Sequence, residues 1–292
     1  YPQLYDWSVN NIPEFWETMW DYAGIIASQG YEQVIDDVNK MPGAQWFTGS
    51  KLNFAENLLR YRDDRPAIVF KGEAMEEPMR YTYAQLYDEV ARLAKSLRAA
   101  GVTKGDRVTG FMPNMPQTVI AMLAAASIGA AWSSCSPDFG VKGVLDRFGQ
   151  IEPKVLFTAN GYSYNGKTFS SLDKVAGIFD QLTSKPKVVV VPYTEERADI
   201  SMLDGAVHYS DFISDEQGLD IAFEQLPFDH PLYIMYSSGT TGLPKCMVQS
   251  AGGILIHHIK ELMLHTDLKR EDKIFYFTTC GWMMWNWLTS AL

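Results

Sequence analysis

Tyr233-Ile234-Met235-Tyr236-Ser237-Ser238-Gly239-Thr240-Thr241-Gly242-Leu243-Pro244-Lys245 is the stretch whose reading decides the fold. Residues 233–236 are a short apolar run suited to a buried strand. The loop after them carries two glycines, which let the backbone approach a ligand closely, and the hydroxyls of Ser237, Ser238, Thr240 and Thr241. Lys245 ends it with a positive charge on a flexible stem. That composition predicts a cradle for a polyphosphate, held by backbone N–H groups and hydroxyls. It is not a Walker loop, because the glycines stand three apart and no Lys-Ser or Lys-Thr pair follows. A hydroxyl-rich turn joining two strands is the plainer alternative.

Upstream of the loop, short apolar runs alternate with stretches of helical period. Residues 188–191 are four valines, as expected of a strand buried on both faces. Residues 107–112, 131–134 and 155–158 read as further strands. Thr82 and Gln85 have capping-box spacing ahead of one apolar face, Leu86, Val90, Leu93, Ala94 and Leu97, with a stop at Gly101. Pro116 suits the first turn of a helix running to Gly129, and another helix is expected over 141–148. The alternation predicts βαβ units, a parallel sheet and an α/β fold of stacked layers.

Residues 1–80 are rich in aromatics, and Phe15, Trp16, Met19 and Trp20 fall near helical spacing, so this leading segment is expected to pack across the core. Residues 194–230 carry mixed charge with weak periodicity and read as a surface connection. The expected organisation is therefore 1–80, a first α/β subdomain over 81–230, and the start of a second over 231–292.

Thirty-five acidic against 25 basic residues, a net charge of −10, argue against a nucleic-acid surface, so an anionic ligand must be held locally. Cys135, Cys246 and Cys280 are far apart and lack metal-ligand spacing, which fits reduced thiols in a cytoplasmic protein. The longest near-apolar stretch, 119–132, is shorter than the roughly 20 residues of a membrane span. His257 and Glu261 share a helix face by spacing, as amphipathic helices often allow, and no metal site is expected there. The chain begins at Tyr1 and stops within the apolar run 285–292, which reads as a fragment with exposed apolar surface near that end.

Residues 236–245 match Y-[ST]-S-G-[ST]-T-G-x-P-K throughout, the phosphate-loop signature of the adenylate-forming superfamily. The chain is identified as resembling the large N-terminal domain of that superfamily, in incomplete form. One departure is Cys246, where most relatives have Gly, which bears on loop mobility. Leu4-Tyr5-Asp6-Trp7-Ser8-Val9 with Phe15-Trp16 resembles the opening of the branch that activates acetate and acetoacetate. Residues 46–59, 132–140 and 281–287 look like the acetoacetate-activating members of that branch.

The resemblance implies ATP-dependent ligation of acetoacetate to coenzyme A through an acyl-adenylate, releasing AMP and pyrophosphate, with Mg2+ assisting. The alternatives are a ligase for acetate, propionate or butyrate, or a nucleotide-binding module without catalysis. It implies that Ser237, Ser238, Gly239, Thr240, Thr241, Gly242 and Lys245 hold the β- and γ-phosphates, with Thr240 and Lys245 in catalytic roles. It aligns Trp282, Met283, Met284, Trp285 and Asn286 with the acyl pocket, where Trp285 is the first choice as donor to the keto oxygen. Lys167 aligns loosely with a cation that contacts coenzyme A, against the plainer reading of a solvated loop lysine. The adenine- and magnesium-binding groups and a C-terminal partner domain are expected beyond residue 292, so the fragment alone is expected to be inactive.

Overall fold

The computed structural model describes residues 1–237 and 242–292. In the leading segment, helix α1 (Ile12–Tyr22) buries Met19 and Trp20. Trp20 stacks on Phe47 with ring centroids 4.8 Å apart, and Phe47 meets Phe228 at 4.9 Å. This aromatic cluster fastens the first fifty residues to the body of the chain, a geometry in which ring pairs add to simple area burial.

Helix α2 (Tyr83–Ala99) starts on the expected capping box: Thr82 Oγ1 accepts from the Gln85 backbone N–H, and Gln85 Oε1 accepts from the Thr82 N–H. Leu86, Val90, Leu93, Ala94 and Leu97 are all buried, so the period read from the sequence is the face that packs. Gly101 adopts φ +83°, a left-handed conformation that glycine enters without steric cost. Strand β1 (Arg107–Phe111), helix α3 (Pro116–Ile128) and strand β2 (Ala131–Cys135) follow. Then come helix α4 (Val141–Phe148), strand β3 (Val155–Ala159), helix α5 (Leu172–Gln181) and strand β4 (Lys187–Val191). Strand β5 (Val207–His208), strands β6 (Pro231–Ser237) and β7 (Lys245–Ser250), and helices α6 (Ala251–Lys260) and α7 (Met283–Thr289) complete the chain's main elements.

One seven-stranded sheet has the order β5-β4-β3-β1-β2-β6-β7. All its pairings are parallel except β6 with β7, which run antiparallel as a hairpin whose loop is the hydroxyl-rich stretch. The layered α/β architecture is the one expected. Because β1 lies between β2 and β3, consecutive strands depart to opposite sides of it. Parallel sheets open a crevice at the carboxyl ends of strands where such a reversal occurs, and ligands bind there.

Residues 194–230 differ from the expected surface connection. They supply β5 to the sheet, bury Tyr209, Ile213, Leu226 and Phe228, and pair Leu226–Pro227 with Lys51–Leu52 of the leading segment. Their apolar residues come singly or in short runs at irregular intervals, so they bury without producing a readable period.

Asn53 explains part of the signature around it. Its Oδ1 caps the helix Phe54–Leu58 by accepting from the Ala55 and Glu56 N–H groups. Its Nδ2 donates to the carbonyls of Ala126 at 3.0 Å, Ser127 at 3.3 Å and Glu224 at 2.9 Å. One fully buried amide thus joins three distant stretches of chain, and it leaves no polar group unpaired.

Residues 285–292 also depart from expectation. They form most of α7, with Trp285, Asn286, Thr289 and Ser290 buried. The strongly exposed large apolar side chains nearby are Phe275 and Phe277, 82% and 88% accessible. No described helix is long and apolar enough to cross a membrane.

Candidate active site

Strand β6 delivers Ser237 to the carboxyl edge of the sheet, where the phosphate-loop candidates begin. Ser237 pairs across the hairpin with Lys245, which is exposed at the start of β7. Gly242, with φ +94° and open space where a Cβ would be, turns the chain back toward that strand. Ser238, Gly239, Thr240 and Thr241 lie outside the described residues. Gln150 steadies the far side of the loop by donating to the Pro244 carbonyl at 2.9 Å.

The second candidate segment, 280–286, lies across the ends of β1 and β2. Cys280 Sγ donates to the Met112 carbonyl at 2.8 Å, and Ser134 Oγ donates to the Cys280 carbonyl at 2.6 Å. Trp285 is fully buried and its indole N–H donates to Asn114 Oδ1 at 2.9 Å. That bond already pairs the donor that the sequence nominated for a keto oxygen. Asn286 Nδ2 reaches Met235 Sδ of β6 at 3.2 Å, which places the start of α7 beside the strand that leads into the phosphate loop. Trp282 and Met283 are exposed, and Met284 is half-buried.

Asn114 was not among the residues singled out from the sequence. Its position carried a usable signal: it lies in the short turn between the end of a parallel strand at Phe111 and the helix that starts at Pro116, so it sits at the crevice. Arg147 was missed as well. Its guanidinium lies 4.8 Å from the Phe139 ring centroid and 5.6 Å from that of Tyr236, near the root of the loop. Lys167 is exposed on the separate hairpin Gly161–Tyr164/Lys167–Ser170, and among the described residues it makes no hydrogen bond or ion pair with the other candidates.

The electrostatics of this edge favour binding over nucleophilic chemistry. Burial pushes the Cys280 thiol up to about 12, and burial drives Cys135 higher still, so neither forms a thiolate near neutrality. Burial likewise holds the Tyr236 phenol protonated, against a smaller opposing effect of its hydrogen bond with Ser133.

His258 supports α7 from below, its Nδ1 lying 2.8 Å from Ser290 Oγ, which in turn donates to the Asn286 carbonyl. Burial, then the neighbouring His257, lower its pKa from 6.5 to about 4, with Glu261 opposing. The folded chain therefore binds this proton less readily than the unfolded chain. The stabilising contribution is complete above about pH 6.5 and is lost as pH falls through 4, for a total of about 3 kcal/mol. Urea unfolding from pH 7 to 4 should show a pH slope that is reduced in His258→Gln. An unchanged slope in that variant would reject the assignment.

The family described as AMP-binding enzyme matches residues 54–291, and that described as acetyl-coenzyme A synthetase N-terminus matches residues 1–58. The acetoacetyl-CoA synthetase of Macaca fascicularis is 49% identical across all of this chain and 44% of its own length. The acetoacetyl-coenzyme A synthetase of Rhizobium meliloti (strain 1021) is 48% identical with the same coverage. The solved structure of acetoacetyl-CoA synthetase from Streptomyces lividans superposes with a TM-score of 0.94 at 46% identity, covering 100% of this chain and 44% of that one. The chain thus spans less than half the length of these relatives.

Proposed function

The chain belongs to the AMP-binding enzyme family, and on that premise we propose that its protein ligates acetoacetate to coenzyme A through an acyl-adenylate. The observation that carries this reading is the meeting of two segments at one sheet edge. The loop leaving Ser237 offers phosphate donors, and the 280–286 segment offers an apolar wall at which a short acid can end, side by side through the Asn286–Met235 contact. Relatives named acetoacetyl-CoA synthetase, matched over the whole chain, support acetoacetate as the acid.

In the first step a carboxylate oxygen attacks the α-phosphorus of ATP and pyrophosphate leaves. Two anions must approach, so donors fixed in advance offset the repulsion and stabilise the leaving group. Ser237, Ser238, Gly239, Thr240, Thr241 and Gly242 hold the β- and γ-phosphates in this reading, while Lys245 and Thr240 act nearest the transferred charge. In the second step the coenzyme A thiol takes the acyl group and AMP leaves, with Lys167 as a contact to a coenzyme A phosphate. Among the described residues no group of three His, Cys, Asp or Glu side chains that could hold a metal ion gathers.

The test is ATP–pyrophosphate exchange by the full-length protein with acetoacetate, acetate, propionate and butyrate. Exchange should be acid-dependent, with the highest kcat/KM for acetoacetate. A higher value for acetate, or no exchange with any acid, overturns the proposal.

A further inference from the structure

Asn286 is a buried amide with no strong hydrogen-bond partner among the described residues, and we infer that it reads an oxygen on C3 of the acid, setting the enzyme's preference for 3-oxygenated short acids. The inference rests on the adenylation reading above and goes beyond it by assigning the discriminating residue.

Three donors at the start of α7 face this task. Trp285 is excluded because its indole N–H is already committed to Asn114. Trp282 is 65% accessible, so water competes for its N–H and the contact would discriminate weakly. Asn286 is 5% accessible, yet its Nδ2 meets only the Met235 thioether, a weak acceptor, and its Oδ1 has no partner among the described residues. Turning the amide over exchanges the two ends and leaves one against sulfur and the other unpaired, so either orientation offers a free polar end.

The amide borders a small cleft shared with Ser134, Met235, Tyr236 and Gly281, and Tyr236 is the residue before the phosphate-loop candidates. The other polar groups there are engaged: Ser134 with the Cys280 carbonyl, and Ser133 with both the Ile234 carbonyl and the Tyr236 hydroxyl. The cleft is only about 10 Å³, room for one water-sized group. It can therefore admit an oxygen carried on C3 rather than the whole acid, and that oxygen meets one uncommitted polar group among the described residues. Through Nδ2 that group can donate to a keto oxygen, and through Oδ1 it can accept from a hydroxyl. Butyrate has no oxygen at C3 and would leave it unpaired, a penalty that apolar walls measuring chain length alone cannot impose.

The experiment compares the full-length enzyme with Asn286→Leu, which keeps the size and removes the hydrogen bonding, and with Asn286→Ala, which also removes the bulk. The readout is kcat/KM in ATP–pyrophosphate exchange for acetoacetate, 3-hydroxybutyrate and butyrate, alongside the melting temperature. The ratio of acetoacetate to butyrate should fall at least about tenfold in Asn286→Leu. The Ala variant should lose the same ratio and serves as the readout if the Leu variant folds poorly. An acetoacetate-preferring wild type whose ratio survives both substitutions overturns the Asn286 assignment alone, and it points to an ordered water as the amide's partner. A wild type that prefers butyrate, or activates no acid, overturns both this assignment and the function it rests on.

Discussion

Lys245→Ala in the full-length protein should lower acetoacetate-dependent ATP–pyrophosphate exchange about a hundredfold, the typical loss when one placed donor to a developing charge is removed. Its melting temperature should hardly move. Lys245 is exposed, and among the described residues it makes no ion pair or side-chain hydrogen bond on which folding could lean. The backbone pairing with Ser237 that sets its position survives any side-chain change. Exposed positions free of such contacts alter stability by less than about 0.5 kcal/mol, so activity and stability should separate. A parallel fall in melting temperature, or unchanged exchange, would reject a phosphate role. The nearby Arg147, stacked between Phe139 and Tyr236, would then become the better candidate for the cation at this edge.

How much of this was legible in the sequence depended on the reach of each interaction. Most elements from α2 to β4 follow from local signals, namely a capping box at Thr82, a glycine stop at Gly101, the proline opening α3 and the valine run of β4, whereas α5 and the hairpin over 161–170 were not read from the sequence. The phosphate-loop candidates were legible because residue type alone carries their chemistry. The interior of the second segment was not. The indole of Trp285 is spent on Asn114, 171 residues away in sequence, and no local pattern reports such a bond. The same holds for Asn53, whose amide reaches carbonyls 73 to 171 residues distant. Residues 194–230 escaped for a different reason, since single buried residues such as Tyr209 and Leu226 leave no periodic trace. Sequence reading nominated the candidate segments, and tertiary partners show which side chains within them are already paired.

Gly252→Ala should destabilise the chain by about 2–3 kcal/mol, the usual cost of forcing extra volume into a packed core. Helix propensity alone predicts the opposite, a gain of up to about 1 kcal/mol for alanine over glycine within a helix. Packing wins here because a Cβ at Gly252 would stand 2.2 Å from Phe228 Cδ2 and 2.6 Å from Cγ and Cε2. The contact is imposed by the backbone, since the Gly252 N–H donates to the Phe228 carbonyl at 2.9 Å. Nor can the ring retreat, with Phe47 at 4.9 Å and Trp20 at 6.5 Å in the cluster that fastens the leading segment. The neighbouring position supplies the control. A Cβ at Gly253 would meet chiefly the Ser250 hydroxyl, at 2.5 Å, which can rotate aside about its χ1. Gly253→Ala should therefore be neutral or mildly stabilising, although it adds the same methyl group to the same helix turn. Urea unfolding of both variants measures the contrast. Equal shifts in the two would show that propensity, not the Phe228 contact, governs this helix, and would remove the argument that α6 is locked to the aromatic cluster. Adding Phe228→Leu should recover part of the Gly252→Ala loss, because the smaller side chain vacates the space the methyl needs.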